Sequence, residues 1–534
     1  MEALGSVTTS FVKSCRKVFR SLPSDEFLSR NREASTTIML FDELHFLMGA
    51  TNTLSRRTLA VARPWAAPLT VASPYRQASS SAFPREAKND SSKERVVVLG
   101  SGWAGYAVAR SLNKNKTSRV LISPRSHFVF TPLLASTAVG TLEFRAAIES
   151  VRRLGLDQFH QAWASDIDFN RKTIRLEANL NPDAGSRTAA PLQKGPEFEV
   201  QYDKLVLAVG CYSQTFGIEG VKEHACFLRD VGDARNIRLN ILQAFERASL
   251  PTTTDEQRRK LLHFAVVGGG PTGIEFAAEL HDLVHEDIEK LYPGLGDFVS
   301  ITIYDIAPKV LPMFDQNLAS YATDRFSRQG IKVRTEHHIQ RIRREGDILL
   351  LNIKEEEQEV GAGIVVWSTG LMQNPLVSHL TEKPIDGIGQ LAKDPKTGSL
   401  ITDGHMRVQV RNSSGTNEVL PDVFAIGDCA KVEGTSLPAT AQVASQQATY
   451  LAKRMNKGDI EDGPEFNFRN LGSMAYLGSW RAIHQSSADE LKGWPAWVLW
   501  RTAYLTKSMS IRNKLLIPVY WFVTWVFGRD ISRF

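Results

Sequence analysis

Arg95-Val-Val-Val-Leu-Gly100-Ser-Gly102-Trp-Ala-Gly105-Tyr-Ala-Val-Ala-Arg-Ser-Leu112 is the stretch whose reading decides the fold. Val96 to Leu99 form a short β-branched run, as a strand buried on both faces of a parallel sheet requires. Three glycines follow at G-x-G-x-x-G spacing, and the residues after Gly105 are helical in character. That strand–turn–helix setting is the one in which the fingerprint carries meaning. Gly100 makes the tight turn, Gly102 lets a pyrophosphate approach the backbone, and Gly105 lets helix and strand pack closely. The helix N-terminus then faces the phosphates.

The next strand, Arg119 to Ile122, ends in Ser123-Pro124-Arg125, without the acid that usually holds a ribose 2′-hydroxyl. A second fingerprint stands far downstream: Phe264-Ala-Val-Val267, then Gly268-Gly-Gly270-Pro-Thr-Gly273, then Ile274 to Leu280. Here the following strand, Val299 to Tyr304, does end in an acid, Asp305. An acid at that place suits the ribose hydroxyls of NADH and repels the 2′-phosphate of NADPH. Two nucleotide pockets of different character point to one for FAD and one for NADH.

Composition sets the outer bounds. Of 534 residues, 43% are hydrophobic and 23% charged, which excludes collagen-like, wholly disordered and polytopic membrane classes. The four cysteines, Cys15, Cys211, Cys226 and Cys429, contain no CxxC pair, so no zinc ribbon or dithiol centre is expected. No HExxH motif and no EF-hand loop occurs, and no metal site is expected. From Met48 to Arg85 there are five arginines, no Asp or Glu, and many Ser, Thr and Ala. That is presequence composition, and residues 1–92 are expected to lie outside the folded part, with Met48 an alternative start. The excess of positive charge sits in this region and in the tail, not in a groove, so no nucleic-acid partner is expected.

At the other end, half of the ten tryptophans fall between Trp494 and Trp525. Pro495 to Leu505 reads as a helix with Trp497, Trp500 and Tyr504 close to one face. Leu515 to Phe527 is mostly apolar, holds Pro518, and is too short to span a bilayer of about 20 residues. An aromatic, basic segment of this kind is expected to lie in a membrane interface.

Further motifs support a family resemblance. Tyr202 to Gly210 and Ile364 to Gly370 are strands ending in Gly, and Val423-Phe-Ala-Ile-Gly427-Asp428 ends in Gly-Asp. Together with the fingerprints they resemble the two-dinucleotide-binding-domain, glutathione-reductase-like flavoproteins. Within these the chain resembles the type II (alternative, rotenone-insensitive) NADH:ubiquinone oxidoreductases, those of fungal mitochondria in particular. The resemblance rests on Ile122 to Leu134, on Phe216 to Arg235, on Ala441-Gln442-Val-Ala-Ser445-Gln446-Gln447, on Leu471 to Gly478 and on Gly528 to Phe534. It covers residues 93 to 534. Ser445 and Gln447 depart from relatives that carry His and Glu there.

The resemblance implies an α/β fold with two Rossmann-like domains and a C-terminal amphipathic helical module. An FAD domain would take residues 93–225 and 385–464, an inserted NADH domain 226–384, and a membrane-anchoring module 465–534. FAD would be held by Gly100, Ser101, Gly102, Gly105, Ser123, Arg125, Thr131, Pro132, Gly210, Gly427, Asp428 and Ala441. NADH would be held by Gly268, Gly270, Gly273, Asp305 and Gly370. Glu275 would handle protons beside the flavin, and Gln442 and Gln446, one helical turn apart, would face the quinone. The implied reaction passes a hydride from NADH to FAD and two electrons to ubiquinone, without proton pumping. The implied setting is the mitochondrial inner membrane, peripheral, matrix face favoured, as a homodimer. A sulfide:quinone oxidoreductase using Cys211 and Cys429, and a signalling flavoprotein similar to apoptosis-inducing factors, are the alternatives.

Overall fold

The computed structural model describes residues 92–180, 194–412, 415–487 and 489–532. The presequence region lies outside them apart from Ser92, as do the last two residues of the terminal motif. Glu94–Leu99 is buried after its first residue, and Thr117–Ser123 along its whole length. Such strands need neighbours on both sides. The central order is Asn417–Ala425, Lys204–Leu207, Glu94–Leu99, Thr117–Ser123, Gln158–Asp168, with every adjacent pair parallel. The chain therefore leaves Glu94–Leu99 toward one side and later returns on the other. The carboxyl end of that strand is the switch point, where open α/β sheets bind ligands. Antiparallel strands extend both edges, including the excursion Thr173–Asn179 and Lys194–Gln201.

A second sheet repeats the plan. Its order is Cys226–Phe227, Ile364–Trp367, His263–Val267, Ser300–Tyr304, Lys332–Arg334, all parallel. The links out of and back to the first sheet run side by side, Cys211–Ser213 pairing antiparallel with Leu371–Gln373. Leu376, Val377 and Leu380 already pack in the core beneath the first sheet. Helix Pro375–Glu382 therefore packs with the first sheet.

The C-terminal module is a three-stranded antiparallel sheet, Ser473–Tyr476, Ala482–Gln485 and Glu490–Gly493, followed by helices Trp494–Lys507 and Ile511–Phe527. Trp500 enters the core of the second nucleotide unit and Ile517 that of the first, so the module closes the seam between them. Ser510 caps the last helix through Asn513 N–H (3.1 Å), and the buried Asn513 amide donates to the carbonyls of Ala146 and Ile148. One expectation is corrected here. Trp497, Trp500 and Tyr504 do not form a membrane face; they pack inward on the second core, with Trp500 3% exposed. Buried, the Trp500 indole N–H needs an acceptor, and Glu275 supplies it at 3.0 Å. The exposed apolar stripe is on the last helix instead: Ile511, Leu515, Val519, Phe522, Val523 and Val526. Among the described residues no helix is long and apolar enough to cross a membrane.

Candidate active site

At the switch point the backbone opens a cavity of about 500 Å³. Gly100 has φ +107°, and a Cβ there would collide with the Ala208 carbonyl. Gly102 faces open space, with nothing within 4 Å of where its Cβ would stand. Gly105 lies behind the loop, where a Cβ would strike the Gly100 carbonyl. The three glycines thus perform the turn, the approach and the close packing. Gly100, Ser101, Gly102, Ser123, Arg125 and Thr131 line the cavity from one side, and Gly210, Gly427, Asp428 and Ala441 from the other. Gly105 and Pro132 do not line it: the first packs beneath, and the second opens the 3₁₀ turn that presents Thr131. The Ser101 and Ser123 hydroxyls are 2.8 Å apart, and Trp103 Nε1 donates to Thr131 Oγ1 at 3.0 Å.

Sequence reading missed the wall opposite Arg125. Asp230 accepts from Arg125 at 2.8 Å and begins helix Val231–Ala248 in a capping box with Asp233. Burial alone would raise the Asp230 carboxyl, but the His127 hydrogen bond and the Arg125 charge hold it well below the usual range. Its neighbour Asp233 is pushed up to about 6 by burial. The D-x-x-D spacing ahead of an amphipathic run was the signal that marks this cap. Arg229 donates through Nη2 to Cys211 Sγ (3.4 Å), while its buried Nη1 has no acceptor. A buried donor without a partner on the cavity wall fits an anionic group seated there. With the glycine opening, Arg125 and a helix N-terminus, the donor set suits a dinucleotide pyrophosphate.

The second sheet builds a matching cradle. Gly268 has φ +115°, Gly270 faces open space, and a Cβ on Gly273 would strike the Gly268 carbonyl. Asp305 accepts from Gly269 N–H and, at 2.7 Å, from Ala307 N–H, so its carboxylate is fixed beside the glycine loop. Gly370 has φ +75°, and a Cβ there would collide with the Phe216 ring.

Glu275, on the second turn of helix Pro271–Leu283, is buried. Tyr476 N–H (3.1 Å) and Trp500 Nε1 (3.0 Å) both donate to its Oε1. Burial pushes its carboxyl up to about 8, against those two hydrogen bonds. One turn on, Glu279 is also buried and raised, accepting from Ser136 (2.6 Å) and Thr141 (2.8 Å). Neither contact across to the C-terminal module is legible in sequence, because the partners lie about two hundred residues away.

Gln442 and Gln446 share the face expected of them, but their amides meet backbone. Gln442 accepts from Leu471 N–H (3.0 Å) and donates to Gly472 O (3.3 Å); Gln446 accepts from Arg469 N–H (3.0 Å) and donates to Arg469 O (2.8 Å). Each side chain mimics a strand partner, so the pair clamps Arg469–Gly472 rather than facing open space. Gln447, the departure noted above, is buried and accepts from Gly427 N–H at 2.7 Å.

Cys211 Sγ lies 3.2 Å from Asp428 Oδ2, and Cys429 Sγ is directed to the Leu207 and Ile426 carbonyls. Burial pushes Cys211 up to about 11 and Cys429 up to about 12. His281 and His285 stand at H-x₃-H spacing, and their rings stack at 4.0 Å. Among the described residues no three His, Cys, Asp or Glu side chains are grouped to hold a metal.

A family model described as pyridine nucleotide-disulphide oxidoreductase matches residues 94–448. Another, the NDH2 C-terminal domain, matches residues 470–530. The chain belongs to the NDH2 branch of the pyridine nucleotide-disulphide oxidoreductases. A probable NADH dehydrogenase of Dictyostelium discoideum is 40% identical, over 83% of this chain and 91% of that protein. An internal alternative NAD(P)H-ubiquinone oxidoreductase A1, mitochondrial, of Solanum tuberosum is 37% identical, over 84% and 90%. The solved structure of NDH2 from Plasmodium falciparum in complex with NADH matches with TM-score 0.72 at 25% identity, over 82% of this chain and 100% of that one. In this NDH2-family chain the fingerprint cavity, the second cradle and the Glu275 contact all fall within the matched spans.

Proposed function

We propose that the protein is a mitochondrial NADH:ubiquinone oxidoreductase that does not pump protons. The observation that carries the reading is Glu275: a buried carboxyl two residues past Gly273 of the second cradle, tied to the C-terminal module by Tyr476 and Trp500. The first cradle would hold FAD. Gly100 to Gly105, Ser123 and Arg125 would face the pyrophosphate and ribose, Trp103 and Thr131 the wall beside them, and Gly210, Gly427, Asp428 and Ala441 the flavin end. When bound, FAD supplies the two-electron chemistry that no side chain provides. The second cradle, Gly268 to Gly273 with Asp305 and Gly370, would take NADH.

The chain's own part is position and proton handling. Glu275 is protonated at neutral pH, and both of its donors end on Oε1. Oε2 is then the atom that holds the transferable proton, in a site from which Trp500 and Tyr504 exclude water. Gln442 and Gln446 act as positioning residues, holding the Arg469–Gly472 segment that leads into the module. The overall balance is NADH + H⁺ + quinone → NAD⁺ + quinol. The exposed stripe from Ile511 to Val526 would dock the enzyme on the inner membrane, where quinone resides. The matrix face, a homodimer and the division into FAD and NADH domains are parts of the same proposal.

Sulfide:quinone oxidoreduction is the poorer reading. The thiolate is the reactive form of cysteine, and burial keeps Cys211 and Cys429 protonated. The likeness to the Aquifex aeolicus sulfide:quinone oxidoreductase, TM-score 0.57 at 18% identity, is one of fold. An anaerobic titration tests the proposal: the yellow protein bleaches with NADH and recovers its colour on adding a short-chain ubiquinone. Bleaching that quinone fails to reverse would count against it. C211S and C429S variants should behave as the parent chain does.

A further inference from the structure

A second cavity, of about 720 Å³, lies between the nucleotide helix and the C-terminal module. Its walls carry four indoles, those of Trp480, Trp497, Trp521 and Trp525. Most of its charged groups are already engaged. Arg529 donates to Glu286 (2.7 Å) and Asp287 (2.6 Å). Asp282 accepts from Tyr476 OH (2.6 Å) and Ser479 N–H (3.0 Å). Glu279 holds the Ser136 and Thr141 hydroxyls.

Arg501 is different. Its guanidinium lies against two indoles, 4.6 Å from the Trp497 ring and 4.1 Å from the Trp521 ring. Its buried Nε has no acceptor, and among the described residues Arg501 has neither a hydrogen bond nor an ion pair. Burial pushes it down to about 10, and the nearby Tyr476 and Glu279 offset this only in part. With rings against the guanidinium and no acceptor among the described residues, its N–H donors are left to bind, and Arg501 lines the cavity. A guanidinium edge matches the paired oxygens of a phosphate or carboxylate.

The surroundings narrow the ligand. Trp525, Val526 and Phe527 at the cavity border are 68%, 48% and 79% exposed, and they continue the stripe of the last helix. The indole faces of the cavity offer a seat for an ammonium group. Trp480 is fixed in place by a strained turn: Ser479 and Trp480 have φ +47° and +64°, and Asp282 grips the Ser479 N–H. Exposed apolar surface, an unpaired guanidinium and indole faces thus offer one cavity places for acyl chain, phosphate and amine.

We infer that this cavity binds the headgroup of a zwitterionic phospholipid, its phosphate on the edge of Arg501 and its chains running out over Trp525 to Phe527. The inference rests on the membrane-docking part of the proposed function.

The test uses the full chain, stripped of lipid by detergent exchange. Dihexanoylphosphatidylcholine is titrated below its micelle concentration while tryptophan emission is followed. The wild-type chain should show a saturable change. R501Q should weaken it at least tenfold, R501K less, because a point charge keeps part of the contact. W525A, at an exposed site that leaves folding intact, should weaken it several-fold. Flotation of R501Q on phosphatidylcholine vesicles should persist through the apolar stripe. Equal affinity in R501Q and wild type would overturn the site, as would the same change on adding inorganic phosphate alone. Wild-type flotation lost while the short-chain titration stays intact would sink the docking reading and uphold the site.

Discussion

Glu275 shows how a single buried group ties chemistry to stability. Its carboxyl titrates near 8 in the folded chain, above the ordinary 4.5. The folded state therefore binds more protons than the unfolded one between those values. The stability linked to Glu275 is fully present below about 4.5 and is lost as pH rises through about 8. Urea unfolding of E275Q should then fall less steeply with pH than the parent, by a few kcal/mol at about 1.4 kcal/mol per pKa unit. Turnover of E275Q should drop on the order of 100-fold if Oε2 carries the proton. Parallel pH profiles for the two proteins would remove Glu275 from the mechanism. Gly102 makes a second residue-scale prediction. Open space around it means that G102V should fold with an unchanged melting temperature in the flavin-free state while losing FAD. G105A should instead destabilise the fold itself, because its methyl strikes backbone.

At the scale of elements, both glycine loops were legible, because strand, turn and helix each have a local sequence signature and the three agree. Asp305 was legible for the same reason, being the last residue of a β-branched run. D305S should therefore raise NADPH use relative to NADH, read from the two kcat/KM values. The inward turn of Trp497, Trp500 and Tyr504 was not legible. Aromatic spacing on a helix is the same whether the face meets lipid or a core, and only the distant acceptor Glu275 decides it. The glutamine pair was half legible: spacing gave the shared face, but not the backbone of Arg469–Gly472 that fills it. The last helix carries the exposed stripe, so L515E combined with V519E should abolish vesicle flotation and leave the flavin spectrum unchanged. Flotation that survives the double change would place the docking surface elsewhere.

On the scale of the whole molecule, two sheets with parallel centres each present a glycine loop, and one C-terminal module packs on both through Trp500 and Ile517. The order of the parts was readable because the motifs follow one another in register. The closing contacts were not, since they join residues hundreds apart: Asn513 with Ala146, Trp500 with Glu275. On the proposed pump-free reaction, turnover in proteoliposomes should not change when a proton ionophore is added; acceleration would count against it. The most direct test of the central claim is steady-state NADH oxidation by the full chain in detergent, with and without a short-chain ubiquinone. The account predicts rapid oxidation that depends on the quinone and saturates with it. NADH oxidation at one slow rate, indifferent to quinone, would contradict it.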